Sequence, residues 1–248
     1  MNPQAQSAAA PGDDLVARLK KIGEERYHNR HPFHLRMHEG KLTRGQLQAW
    51  ALNRYCYQSH IPLKDAAILA RCDDADLRRA WRKRIIDHDG EAGKPGGIEK
   101  WLRLVEATGL SREQAVRGEG VLPATRYAVE AYVHFVSEKS LLEAVASSLT
   151  EMFAGSLIVL RMDALRKHYP WLAGGLSYFE ARTTQAPEDA DFALDWVLKH
   201  AETSEQQELA CNALRAKCDI LWAQLDALYF AYVEPGWPPP GAFRPEEK

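Results

Sequence analysis

The chain has 248 residues, 46% hydrophobic and 27% charged, which supplies a sizeable core and excludes a disordered chain. Its 32 lysines and arginines and 34 aspartates and glutamates leave a formal net charge of −2, which excludes the broad basic surface that coats nucleic acid or anionic lipid. Cys56, Cys72, Cys211 and Cys218 form no C-x-x-C pair, so zinc-ribbon and thioredoxin-type readings find no support, and widely spaced thiols suit a reducing compartment. The N-terminal MNPQAQSAAAPGDD has no basic and apolar signal regions, and the reading finds no apolar run of membrane-span length. The expectation is a cytoplasmic protein with no membrane or nucleic-acid partner.

In chain order, residues 1–12 read as a flexible tail, 13–233 as one all-α domain and 234–248 as an extended proline-rich arm. Asp13 or Asp14 caps a first helix to about Arg30, ended by His31-Pro32 because proline disfavours helix in the residue before it. Thr43-x-x-Gln46 has capping-box form and opens the next helix, which Pro62 kinks or restarts. Helices follow from Asp73–Asp76 to about His88 and over Ile98–Val105, the latter closed by Gly109 in a left-handed cap. Ser111-x-x-Gln114 opens a short helix. Pro123–Ser137 and Ser140 to about His168 form two more, the second opened by Ser140-x-x-Glu143 and bending at Gly155. A short helix at Tyr178–Thr184, another at Asp189–Ala201 after Pro187, and a long one from Thr203-x-x-Gln206 to about Val233 complete some seven major helices.

A site in a helical bundle appears in sequence as polar side chains on otherwise apolar stripes. Leu77, Trp81, Arg84 and His88 share one face, so Arg84 and His88 point where the core should be; a snorkelling arginine and a C-terminal histidine favoured by the helix dipole are the bland alternative. Lys217 lies among Ala213, Leu214, Ile220 and Leu221. Thr150-Glu151 interrupts an apolar run beside the small Ser147 and Ser148, with Arg161 following. Tyr178 and Arg182, and Arg54 and Gln58, are i, i+4 pairs, and Tyr27-His28 ends the first helix. Arg54, Lys64, Arg84, Arg161, Arg182 and Lys217 come from different helices. If they converge, they make a pocket for a small polyanion, most simply one with several carboxylates.

Other motifs carry less weight. His28, His31, His34 and His38 resemble a metal cluster, but Pro32 interrupts the helix that would align them. Glu25-x-x-His28 has the di-iron spacing without the second copy a di-iron bundle needs. No H-E-x-x-H, Walker A, G-x-S-x-G or G-x-G-x-x-G motif occurs, and RRAWRKR at 78–84 reads as a solvated face.

Five segments, HPFHLRMHEGKLTRGQLQAWALNRYCYQSHIPLKDAAILARC, RIIDHDGEAGKPGGIEKWLRL, SSLTEMFA, HYPWL and KCDILWAQLDALYFAY, resemble the pyrroloquinoline quinone (PQQ) synthase family over about residues 15–235. That resemblance implies a compact seven-helix bundle similar to heme oxygenase, usually a homodimer. It implies ring closure and eight-electron oxidation of a tricarboxylic quinoline-dione precursor, with O2 as oxidant, hydrogen peroxide released, PQQ as product and no metal or organic cofactor. The family's pocket maps onto Tyr27, His28, Arg54, Gln58, Lys64, Arg84, His88, Tyr132, Thr150, Glu151, Arg161, Tyr178, Arg182 and Lys217. Catalysis falls to His88, Tyr178, Arg182, Tyr27 and His28, and substrate binding to the others; His88, Tyr178 and Arg182 match the group linked to oxygen chemistry. Two positions depart: Ile158 stands where the family can carry a pocket histidine, and Gly155 where a proline is usual. A one-residue deletion lies near Gly174–Ser177. A di-iron oxidase on the same fold and a non-catalytic quinone carrier are the rival expectations, and a product-accepting protein is a possible partner.

Overall fold

The computed structural model describes residues 11–246. Among them the chain is all α apart from a two-strand hairpin, β1 (Gly90–Glu91) and β2 (Lys94–Pro95). The helices are α1 (Pro11–Arg26), α2 (Pro32–His38), α3 (Arg44–Leu69), α4 (Ala75–Asp89), α5 (Gly97–Thr108), α6 (Arg112–Arg117), α7 (Pro123–Glu138), α8 (Leu141–Ala146), α9 (Ala154–His168), α10 (Ser177–His200) and α11 (Ser204–Tyr232). Short 3-10 segments occupy His28–Arg30, Ser147–Phe153 and Pro170–Gly175.

The all-α expectation holds, but seven helices become eleven. The boundaries set by local side-chain chemistry fall as read. Capping boxes at Thr43, Ser140 and Thr203 have both hydrogen bonds in place, and Gly109 closes α5 at φ 96°. The helix expected over 140–168 is instead broken by the 3-10 turn Ser147–Phe153, well before Gly155. Ser147 and Ser148 donate their hydroxyls back to the carbonyls of Ala144 and Val145, each at 2.7 Å, competing with the i→i−4 ladder and tightening the turn. Conversely α3 runs through Pro62, and α10 joins the two helices expected either side of Pro187. Each proline removes one ladder bond without ending its helix. Of the expected 1–12 tail, residues 1–10 lie outside the described residues, and Pro11 and Gly12 belong to α1. Asp13 and Asp14 therefore fall inside the first turn rather than at its cap.

α11 forms the spine, packed against α1, α2, α3, α7, α8 and the Ser147–Phe153 turn; α3 packs on α4, α5 and α7. Buried Trp50, Trp101 and Phe179 form the densest aromatic contact. The Trp50 and Trp101 ring centroids are 5.4 Å apart and edge-on, and Trp101 Nε1 donates to the Ala51 carbonyl at 2.9 Å, fixing α5 to α3. Leu141–His168 is long and apolar enough by composition to cross a membrane, which the sequence reading missed. Half of its apolar window is buried inside the bundle. The proline-rich segment is not an outstretched arm. Phe243 N donates to the Gly120 carbonyl at 2.9 Å, and the Tyr232 hydroxyl to the Phe243 carbonyl at 2.9 Å. Gly120 is required there: its φ is 84°, and a Cβ would sit 2.9 Å from the Phe243 nitrogen.

Candidate active site

The 3-10 turn sets the site, because it turns Thr150 and Glu151 into a cavity lined by α3, α4, α9, α10 and α11. Tyr27, His28, Arg54, Gln58, His88, Thr150, Glu151, Arg161, Tyr178 and Arg182 all line it, with Ile158 in the same wall. Ten of the fourteen expected site residues thus share one space. Lys64, Arg84, Tyr132 and Lys217 are buried behind the lining, and each touches another charged or polar side chain of the site. Arg84 also borders a separate cleft with Glu188 and Asp189.

The cations divide into two groups. At one end Arg84 grips Glu151 through both nitrogens, Nη2 to Oε1 at 2.6 Å and Nη1 to Oε2 at 3.3 Å. Arg182 approaches the same carboxylate at 3.4 Å and donates to Asp189 Oδ2 at 3.2 Å. Lys64 pairs with Asp65 at 2.5 Å, and Asp65 and Asp189 also lie 3.9 and 3.5 Å from Arg84. Three cations face three carboxylates. Burial pushes Glu151 up, but Arg84, Arg182 and Lys64 outweigh it and hold the carboxyl at about 2. Burial prevails at Asp189, raised to about 6.

At the other end Arg54, Arg161 and Lys217 are paired with no carboxylate among the described residues. The Arg54 guanidinium lies over the Tyr57 ring at 4.1 Å, and Arg161 lies 5.9 Å from the Trp50 ring centroid with Nη2 3.1 Å from His34 Nε2. Lys217 Nζ donates to the Tyr57 hydroxyl at 2.6 Å and sits 3.2 Å from the Tyr132 ring centroid. Burial, with Lys64 and Arg54 nearby, drives Lys217 well below the usual lysine range; burial and then Arg54 lower Arg161 to about 10. Aromatic faces only partly offset these cations, so an anion entering beside Arg54 and Arg161 gains strong charge-assisted bonds.

The histidines have defined roles. His88 Nδ1 donates to the Arg84 carbonyl at 2.9 Å, which leaves the Nε2 lone pair as a proton acceptor. Burial and then Arg182 lower its pKa to about 4, so the imidazole is neutral at pH 7. His28 and His34 converge across Pro32, with Nδ1 atoms 3.2 Å apart; His31 turns away to Asp226 at 3.0 Å. The expectation that Pro32 keeps these histidines apart is therefore wrong for this pair, because a 3-10 turn returns the chain. His34 Nδ1 donates to the His28 carbonyl at 3.0 Å while Nε2 faces Arg161, which fixes its neutral tautomer. Glu25 is exposed and ion-paired with Lys21, so the Glu25-x-x-His28 spacing does not converge. Among the described residues no three His, Cys, Asp or Glu side chains gather where a metal could sit.

Sequence reasoning missed Tyr57, Asp65, Asp189 and His34. Tyr57 is i+3 from Arg54 and Asp65 adjoins Lys64, weak signals at best; nothing in the local pattern marks Asp189 as a partner of Arg182.

A histidine whose folded pKa is depressed binds fewer protons folded than unfolded, so its contribution to stability is full above pH 6.5 and is lost as pH falls toward 4. Between pH 7 and 5 His88 should cost about 2 kcal/mol. Asp189 acts in the opposite sense over the same interval, so the check is a difference. His88→Asn should lose about 2 kcal/mol less than wild type between pH 7 and 5 in denaturant titrations. Parallel profiles would show that His88 is not held neutral.

A model of the TENA/THI-4/PQQC family matches residues 16–227. A pyrroloquinoline-quinone synthase of Acidiphilium cryptum is 58% identical over 232 residues, covering 93% of this chain and 94% of that one. A bifunctional coenzyme PQQ synthesis protein C/D of Methylorubrum extorquens is 55% identical over 246 residues; the match takes in 99% of this chain and 66% of that longer protein. In fold, a Shewanella denitrificans domain of unknown function described as heme oxygenase-like aligns with TM-score 0.76 at 13% identity, over 96% of this chain and all of that one, which agrees with the fold expected. With the match spanning nearly the whole helical body, the chain belongs to the TENA/THI-4/PQQC family.

Proposed function

We propose that the protein is a pyrroloquinoline-quinone synthase, closing the ring of a tricarboxylic quinoline-dione precursor and oxidising it by eight electrons with O2. The observation that carries this reading is the divided cavity: at one end Arg54 and Arg161, paired with no carboxylate among the described residues, and at the other an ion-paired network beside a neutral histidine base. Relatives 57–58% identical with that name support it. Arg54 and Arg161 hold substrate carboxylates, and Lys217 acts on that end through Tyr57. His88 removes a proton through Nε2, and electron-rich ring intermediates then reduce O2 directly, releasing hydrogen peroxide. Tyr178 and Arg182, one turn apart on α10, stabilise oxygen anions beside His88. On this reading substrate is the only reductant, no cofactor takes part, and the four buried free thiols suit a reducing cytoplasm. The working form is a homodimer that passes product to an acceptor protein.

Chelator-treated, metal-free protein given precursor and air tests this. Oxygen uptake with product formation is expected. Turnover only after iron addition would favour a di-iron oxidase, and tight product binding without turnover a carrier. Arg54→Ala and Arg161→Ala should each weaken product binding about 10- to 150-fold, one charged hydrogen bond each. Titration of product fluorescence or absorbance reads this directly. Unchanged affinity in both would remove the anion-binding role of that end.

A further inference from the structure

His31 caps α2, accepting from Phe33 N through Nδ1 at 3.0 Å, and Pro32 opens the helix. This start sets His34 in the first turn of α2, where its ring reaches back to the 3-10 turn at His28–Arg30. The His28 carbonyl takes two bonds there, from His31 N at 3.1 Å and from His34 Nδ1 at 3.0 Å. A carbonyl oxygen only accepts, so His34 Nδ1 carries a proton. Arg161 Nη2 lies 3.1 and 3.3 Å from the two ring nitrogens of His34. Burial, followed by that cation, holds His34 well below the usual histidine range. The ring is therefore neutral, and Nδ1–H is its only N–H. The Nδ1 atoms of His28 and His34 stand 3.2 Å apart. Two N–H groups do not face each other across such a gap, so His28 Nδ1 presents its lone pair. Burial, then Arg54 and Arg161, keep the His28 ring neutral as well. Its one proton accordingly sits on Nε2. His28 lines the cavity with Arg54 and Arg161, and its hydrogen-bonding contact to another side chain among the described residues is made through Nδ1.

We propose that His34 is a positioning residue that fixes His28 as a hydrogen-bond donor, its Nε2–H offered to a substrate oxygen at the Arg54–Arg161 end of the cavity. That the oxygen belongs to a tricarboxylate rests on the oxidase reading above; the tautomer does not. His88 is the opposite case. There a backbone carbonyl holds the proton on Nδ1 and leaves Nε2 to accept. At His28 the neighbouring histidine occupies Nδ1 with an N–H, and Nε2 is left to donate. The cavity thus holds one histidine that accepts and one that donates, and an exchange of roles at either breaks a buried hydrogen bond. An oxygen placed among Arg54, Arg161 and His28 meets donors only, which selects a carboxylate or ring carbonyl there over an amine.

Long-range proton–nitrogen NMR of the full chain, labelled at histidine, reads both tautomers without substrate. Wild type should show the His28 proton on Nε2 and the His34 proton on Nδ1. His34→Phe keeps an aromatic ring and removes the donor. It should spread the His28 proton over Nδ1 and Nε2 and weaken pyrroloquinoline quinone binding about 3- to 10-fold, the range of one uncharged donor. His34→Asn keeps an N–H for the His28 carbonyl. It should restore the His28 tautomer and bring affinity to within about twofold of wild type. A wild-type His28 protonated on Nδ1, or on both nitrogens, would overturn the proposal. So would a folded His34→Phe with the wild-type tautomer and affinity, or equal losses in His34→Phe and His34→Asn with the His28 tautomer unchanged. The wild-type spectrum decides alone if His34→Phe does not fold. Wild type that shows the expected tautomers but consumes no O2 with precursor keeps the positioning role and loses only the oxidase reading.

Discussion

Replacing Glu151 with glutamine should lower the unfolding free energy by about 3–5 kcal/mol, the usual cost of removing one member of a buried ion cluster. The glutamine amide fits the same volume, so packing is preserved and the change isolates charge. In the wild type Glu151 bonds Arg84 through both oxygens and lies 3.4 Å from Arg182. Arg84 is almost wholly buried, as are Lys64 and Arg182. Three cations would then face two carboxylates, one of which, Asp189, already resists ionisation. For a chain of this size the loss corresponds to about 6–20 °C in melting temperature. Asp189→Asn should cost less, because burial already opposes the charged form of this carboxyl and offsets more of what its ion pairs contribute. Thermal unfolding at pH 7 separates the two. A Glu151→Gln variant melting within about 2 °C of wild type, or one more stable than Asp189→Asn, would show that the cluster is not held together by this carboxylate.

What the sequence disclosed depended on how local the cause was. Capping boxes at Thr43, Ser140 and Thr203 act within four residues, and so does the left-handed Gly109, so those ends were legible. The 3-10 turn at Ser147–Phe153 depends on which way two serine hydroxyls rotate, and serines in mid-helix read equally well as small packing residues. Prolines misled in both directions. Pro32 suggests a separation of His28 from His34, whereas the chain turns back and joins them; Pro187 suggests a boundary that α10 runs through. In the site, Arg84 and Lys217 are visible because each interrupts an apolar stripe, with snorkelling as the bland alternative. The carboxylates that pair the cations are not. Asp65 beside Lys64 looks like an ordinary charged pair, and Asp189 looks like the acidic start of a helix. That omission matters chemically: six free cations make a uniformly positive pocket, whereas pairing leaves the excess at one end only. Arg182 is consequently not a free cation waiting for oxygen but one arm of a neutral network.

That pairing sharpens the expectation for His88. With Nδ1 engaged by the Arg84 carbonyl and a pKa near 4, the resting imidazole accepts a proton at Nε2 and becomes a donor only after it has done so. It therefore serves first as base for a carbon-bound proton and then as acid toward reduced oxygen, with Tyr178 and Arg182 on the neighbouring α10. His88→Asn keeps a donor for the Arg84 carbonyl and removes the base. Turnover should fall about 10²–10⁴-fold, with product affinity within a few-fold of wild type, because the carboxylate-binding end is untouched. Protonation inactivates the base, so the wild-type rate should lose its His88-dependent part only as pH falls through about 4, and His88→Asn should lack that acid limb. Tyr178→Phe, which removes one hydroxyl donor, should cost about 10²–10³. Arg182→Ser should combine a similar loss with lower stability, since it also strips a partner from Glu151 and Asp189. In all three, absorbance and mass should show a ring-closed, partly oxidised intermediate accumulating in air. Should the open-ring precursor accumulate unchanged instead, these residues act in cyclisation, and the oxygen anions are stabilised elsewhere in the cavity.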